Sequence, residues 1–176
     1  MAADATWLRE HIRDIPDYPR VGVTFRDITP LLGDPDAFRF AVDAIADRFS
    51  GVEIDRVIGI EARGFILAAP LAYRRGASFV PVRKAGKLPW AVAREEYILE
   101  YGTDKLEVHR DGMFPGERVL VVDDVLATGG TAAAAVRLVE GLGAEVVGLG
   151  FAIEIGPLGG RDNLKGYEVE SLITYE

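Results

Sequence analysis

The chain has no cysteine, and only His11 and His109 carry imidazoles. Disulfides, thiolate zinc sites and a cysteine nucleophile are thereby excluded, and the expected setting is a reducing cytoplasm. Positive charge is also scarce: 20 Lys and Arg face 28 Asp and Glu, a net charge of −8. That balance disfavours a general nucleic-acid surface, so any local cluster of basic residues gains interest. No stretch reaches the length of a membrane span without charge or glycine, and the N-terminus lacks the apolar core of a signal peptide, so neither a membrane role nor export is expected. Internal repeats, low-complexity tracts and interdomain linkers are missing too. At 176 residues and 49% hydrophobic, one domain spanning 1–176 has a core large enough to need no staples.

What is present alternates between strand and helix patterns. Asp34-Pro35 starts a helix by cap and first-turn rules, and Phe38, Val42, Ile45 and Phe49 recur on one face, which reads as core. Arg56 to Ile60 reads as a buried strand, Gly64 to Arg75 as a helix stopped by Gly76, and Ser78 to Val82 as the next strand. The order implies a parallel sheet. After Val82 the pattern breaks. Lys84 to Glu95 is basic and irregular, leading to a hairpin of Tyr97 to Tyr101 and Leu106 to His109 around Gly102-Thr103-Asp104. A long irregular insertion of this kind suits a mobile working loop. Strands at Val119 to Val122 and Glu145 to Ile153 complete the alternation, and Tyr167 to Thr174 suits a last strand.

Residues Val119 to Thr131, Val-Leu-Val-Val-Asp-Asp-Val-Leu-Ala-Thr-Gly-Gly-Thr, carry an apolar strand into two carboxylates and a small-residue loop. A strand buried on both faces delivers its loop to the carboxyl edge of a parallel sheet, where open α/β folds bind ligands. Ala127, Thr128, Gly129, Gly130 and Thr131 carry little bulk, so their N–H groups can close around a phosphate, with the Thr131 to Leu142 helix adding its positive end. Neither the Gly-x-x-x-x-Gly-Lys-Ser/Thr nor the Gly-x-Gly-x-x-Gly pattern serves here. An ordinary turn with Asp124 or Thr128 as helix cap would explain one polar residue, not two acids and a cradle.

Glu61-Ala62-Arg63-Gly64 follows a second strand and places a cation where a ligand would sit, although Arg63 could instead pair with Glu61 or another carboxylate. Arg83, Lys84 and Lys87, just past a strand end, suit a diphosphate, with a solvated charge run as the bland alternative. Pro19 to Leu32 fits neither regular period and reads as a shaped loop; Phe25 there could fill core or stack on a ligand.

The Val119–Thr131 run resembles the phosphoribosyl-diphosphate signature of the type I phosphoribosyltransferases. Phe25-Arg26-Asp27-Ile28-Thr29-Pro30, Glu61-Ala62-Arg63-Gly64-Phe65, Arg83-Lys84-Ala85-Gly86-Lys87-Leu88-Pro89 and Leu99-Glu100-Tyr101-Gly102 accompany it in the order seen in the adenine branch of that family. The resemblance covers nearly the whole chain. It implies an α/β type I phosphoribosyltransferase fold: a mostly parallel twisted sheet flanked by helices, with a flexible hairpin loop and a small base-binding hood. It implies transfer of the 5-phosphoribosyl group of 5-phosphoribosyl diphosphate to N9 of adenine, giving AMP and diphosphate in purine salvage. Mg²⁺ then travels on the donor, with no metal ligated by protein alone.

The same resemblance assigns roles. Ala127 to Thr131 hold the 5′-phosphate, while Asp123 and Asp124 meet the ribose and metal region. Their adjacent strand positions send the two side chains to different sides, so they need not share one job. Arg63, Arg83, Lys84 and Lys87 take the diphosphate, and Glu100 handles the adenine proton. Phe25 and an apolar residue near Ile155 sandwich the base, with backbone groups around Thr24 and Arg26 reading its edge. A cis Ala62–Arg63 peptide and a homodimer are further expectations, with no nucleic-acid or membrane partner. The alternatives are the same fold acting on another base, such as a 6-oxopurine, and a phosphoribosyl-diphosphate-sensing regulator. Only about two dozen residues precede Phe25, too few for an added DNA-binding domain, and the charge disfavours the regulator.

Overall fold

The β-branched runs form the centre of a seven-stranded sheet, in a computed structural model that describes residues 4–98 and 102–176. In chain order the elements are β1 (Arg13–Ile15), β2 (Phe25–Asp27), α1 (Thr29–Gly33), α2 (Pro35–Arg48), β3 (Arg56–Ile60), α3 (Gly64–Arg75), β4 (Ser78–Lys84), β5 (Val92–Ile98) and β6 (Thr103–His109). They continue as β7 (Arg118–Leu126), α4 (Gly130–Gly141), β8 (Glu145–Ile155) and β9 (Val169–Tyr175). Short 3-10 turns lie at Thr6–His11, Gly156–Leu158 and Gly160–Leu164. Sheet order is β5-β6-β4-β3-β7-β8-β9. The β4-β3-β7-β8-β9 stretch is parallel, and the β5–β6 hairpin adds to its edge antiparallel. A mixed, mostly parallel sheet flanked by helices is the expected class.

Alternation splits the core between two faces. Val57, Leu120 and Val122 pack toward α2 and α3, whereas Ile58, Val119 and Val121 pack toward α4. Both faces are covered, which is why these strands read as continuous apolar runs. Asp34 caps α2 through the N–H groups of Asp36 (3.0 Å) and Ala37 (2.8 Å), as the cap rule predicts. Of its stripe, Val42, Ile45 and Phe49 are buried and Phe38 partly so. The helix lies flat on β8 because Gly148 and Gly150 leave room; a Cβ on Gly150 would stand 2.6 Å from Ile45 Cγ2.

Several boundaries differ from expectation. Strand β4 runs on to Lys84, putting Arg83 and Lys84 in the strand itself, where they pair with Glu107 and Leu106 of β6. The hairpin begins at Val92, so only Ala85 to Ala91 of the irregular stretch is non-strand, and Thr103 and Asp104 belong to β6 opposite Ile98 and Tyr97. Asp123 and Asp124 are inside β7. The shaped loop holds a short strand, β2, which pairs antiparallel with β1 just before the loop; both are too short for a period to show. Leu99, Glu100 and Tyr101 lie outside the described residues.

The connections fix where a site can form. Chain leaving β3 goes through α3 to β4 on one side, and chain leaving β7 goes through α4 to β8 on the other. A crevice therefore opens between the carboxyl ends of β3 and β7, the usual ligand position in open α/β sheets.

Candidate active site

Strand β7 delivers the two carboxylates and the small-residue loop to that crevice. Gly129 sits in the left-handed region at φ 80° and starts α4 without any side-chain cap, so the first N–H groups of α4 face a cleft lined by Asp123, Thr128 and Thr131. A helix N-terminus presented this way is an anion site. The loop is braced from behind: Asn163 Nδ2 donates to the Thr128 carbonyl at 2.7 Å, and a Cβ on Gly129 would collide with the Gly160 carbonyl. Glu154 holds this brace, accepting from Arg161 Nε and a terminal nitrogen, both at 2.8 Å, and from Ser171 Oγ at 2.6 Å. Sequence reasoning missed Asn163, whose partner Thr128 is 35 residues away, and the pairing of Arg161 with Glu154 across a bend of the chain.

The adjacent carboxylates have different surroundings, although they stand close enough to interact with each other. Asp124 is buried and ion-pairs with Arg63. Asp123 keeps some exposed surface, yet its carboxyl lies deep: a Cβ on Gly64 would stand 2.7 Å from its Oδ1, which accepts the Asp124 N–H at 2.9 Å. Burial, and then the negative charge of Asp124, push the Asp123 pKa well above the usual carboxylate range.

Strands β3 and β4 supply the cations. Glu61, leaving β3, is buried among them: it accepts the Lys84 N–H at 2.9 Å, pairs with Lys87 Nζ, and lies 3.4 Å from Arg83 Nε. Burial works to raise its pKa, but the hydrogen bonds from Lys87 and Lys84, with the charges of Lys87 and Arg83, hold it below the usual range. The Lys84 ammonium lies 2.8 Å from Asp104 Oδ2. Arg63, Arg83, Lys84 and Lys87 therefore gather at one edge, each with a carboxylate partner in the site. Arg63 pairs with Asp124 rather than Glu61. The cis peptide falls at Glu61–Ala62, one residue before the expected Ala62–Arg63 bond.

Phe25, first residue of β2, is half-buried beside Tyr18, whose ring meets it edge-on at 5.4 Å, with the Arg63 guanidinium 5.2 Å above its centroid. Thr24 is exposed next to it. The Arg26 side chain ion-pairs with Asp14 and stacks 3.9 Å over Tyr175, while its backbone stands opposite Asp14 in the β1–β2 ladder. Tyr175 neighbours Ile155 in the β8–β9 ladder, so Ile155 reaches the same end of the molecule. Glu100, the expected proton-handling group, is outside the described residues. Among those residues no group of three or more His, Cys, Asp or Glu could hold a metal ion, and no helix is long and apolar enough to cross a membrane.

Comparison with known proteins gives a concordant picture. Residues 35–172 match the phosphoribosyl transferase domain family. The adenine phosphoribosyltransferase of Anaeromyxobacter dehalogenans strain 2CP-1 is 56% identical over 168 residues, covering 96% of this chain and 98% of its own. That of Acidothermus cellulolyticus is 58% identical over 163 residues, covering 93% and 92%. Among solved structures, the adenine phosphoribosyltransferase of Thermoanaerobacter pseudethanolicus superposes with a TM-score of 0.95 at 48% identity, covering 97% of this chain and 99% of that one. The Saccharomyces cerevisiae enzyme, complexed with an imino-altritol bisphosphate and adenine, gives 0.91 at 38%, covering 98% and 99%.

Proposed function

Because the chain belongs to the phosphoribosyltransferase family, in its adenine-specific branch, we infer that the carboxyl-edge crevice carries out that branch's reaction. The protein is a transferase: it moves the 5-phosphoribosyl group of 5-phosphoribosyl diphosphate to adenine, giving AMP and diphosphate in purine salvage. The observation that carries this is the convergence on one sheet edge of an uncapped helix N-terminus, two adjacent carboxylates and four cations, in a chain 56% identical to a named adenine enzyme.

The residue roles are our proposal. The C1′–oxygen bond to diphosphate breaks as the N9–C1′ bond forms, and positive charge builds on the ribose ring. Ala127, Thr128, Gly129, Gly130 and Thr131 hold the 5′-phosphate by backbone N–H groups and hydroxyls. Asp123 and Asp124 supply negative charge beside the ribose. Arg63, Arg83, Lys84 and Lys87 take the departing diphosphate. Adenine stacks between Phe25 and Ile155, its edge read by backbone at Thr24 and Arg26. Glu100 accepts the proton that adenine loses as N9 attacks.

Mg²⁺ fits this donor set, since a pair of carboxylates plus substrate phosphates is a common arrangement for that ion. Asp123 and Asp124 would face it, and it would neutralise charge developing on diphosphate. A cytoplasmic setting follows from the donor's chemistry, because so polyanionic a molecule does not cross a bilayer unaided. A homodimer is supported by the outer face of α3, where Ile66 is 41% exposed, Tyr73 90% exposed, and Ala69 lies between them. The functional test is a nucleobase screen with phosphoribosyl diphosphate and Mg²⁺, scoring diphosphate release and nucleotide. Adenine should turn over far faster than hypoxanthine, guanine or pyrimidines. Preference for a 6-oxopurine would overturn the substrate assignment.

A further inference from the structure

Asp104 and Tyr97 face each other across the β5–β6 hairpin, and nothing in the proposed chemistry uses either one. Asp104 Oδ2 is nevertheless shared by two groups: the Lys84 ammonium at 2.8 Å and the Tyr97 phenol, which donates to it at 3.2 Å. Tyr97 is itself buried, and its ring lies against the start of α4, where a Cβ on Gly130 would stand 4.0 Å from Cδ2. A line of contacts, Lys84 to Asp104 to Tyr97 to the start of α4 at Gly130, therefore runs from the cation cluster to the phosphate loop. Lys84 ends strand β4, whereas the phosphate loop closes at the first turn of helix α4.

From this geometry we propose that Asp104 and Tyr97 are positioning residues that hold the diphosphate subsite at a set separation from the 5′-phosphate subsite. The inference rests on reading the crevice as the donor site, and it concerns how that site treats a ligand with an anion at each end. Such a ligand gains affinity beyond either half because the second contact is made at high effective concentration once the first has formed. The gain depends on the two subsites standing at the ligand's own spacing, and misplacement by about 1 Å is costly. Residues that set the spacing should therefore leave the halves alone and weaken the whole.

The test compares Asp104→Asn and Tyr97→Phe with the parent protein. Dissociation constants are measured by calorimetry at one ionic strength for diphosphate with Mg²⁺, for ribose 5-phosphate, and for phosphoribosyl diphosphate with Mg²⁺. The quantity read is the affinity for the intact donor divided by the product of the affinities for its halves. Each variant should lower that ratio about tenfold, with KM for the donor rising and kcat at saturating donor changing less than about threefold. Tyr97→Phe keeps the buried ring, so a melting temperature near the parent's separates this effect from unfolding. If donor affinity falls only as far as the losses on the two halves account for, whatever their size, the proposal is overturned. Asp104 would then act on Lys84 alone. The reading beneath it fails in a different way: the parent itself would make no AMP, whatever the binding ratios of the variants.

Discussion

Asp123 is the carboxylate whose charge the fold resists most among those described. Burial and the neighbouring Asp124 raise its pKa, so the neutral form favours folding below the unfolded value near 4, and that contribution is lost as pH rises through the raised folded value. Asp123→Asn keeps an acceptor for the Asp124 N–H and removes the charge. Its melting temperature should exceed the parent's by a few degrees at pH 7 to 8, at about 2–4 °C per kcal/mol for a chain of this size, and the gap should close as pH falls toward 4. Donor binding should weaken at the same time, a trade between stability and activity. Melts across this pH range check it, and a gap independent of pH would contradict the assignment. Glu100→Gln separates proton handling from donor binding: kcat with adenine should fall roughly 10²-fold while donor affinity holds. Parent-like turnover would mean that the proton leaves through another group.

Between β7 and α4 the phosphate loop depends on a second element, the Gly160–Leu164 turn pressed against it. Gly129→Ala would put a Cβ at φ 80° and into the Gly160 carbonyl. The expected result is a loss of roughly 1–3 kcal/mol in stability and at least a tenfold loss in donor affinity, read by denaturant melts and calorimetry. Asn163→Ala, which removes only the 2.7 Å bond to Thr128, should show a smaller version of both. The loop itself was legible, because an apolar run ending in Asp123-Asp124 and five small residues has few structural explanations. Its brace was not, since the Asn163–Thr128 and Arg161–Glu154 bonds join residues that no local period relates. Glu61 offered a faint signal: an acid at the end of an apolar strand, followed by Arg63, sits where charge is expensive unless cations surround it. Hairpin limits went wrong because Gly102 marks a turn without saying how many residues on either side pair. Three-residue strands such as β2 are too short to alternate visibly.

At the scale of the whole molecule, a core fully covered on both faces of the sheet leaves the outer face of α3 unexplained. Gly64 and Leu67 of that helix are buried, yet Ile66, Ala69 and Tyr73 point an apolar stripe at solvent, immediately after the Glu61-Ala62-Arg63 loop. A 12-residue helix is about 18 Å long and 10 Å across, so one face offers only about 200 Å². Stable interfaces need about 800 Å² per partner, so a second copy docked on α3 must also cover surface on either side of it. An interface seated there would lie against the cation loops, so dimer loss should cost donor affinity as well as mass. Sedimentation at micromolar concentration should give a species of twice 19.1 kDa, and Ile66→Glu with Tyr73→Glu should shift it toward monomer with a raised KM for phosphoribosyl diphosphate. A parent that sediments only at 19.1 kDa contradicts the dimer. A double variant that remains dimeric assigns the contact to another face and leaves the α3 stripe without a partner.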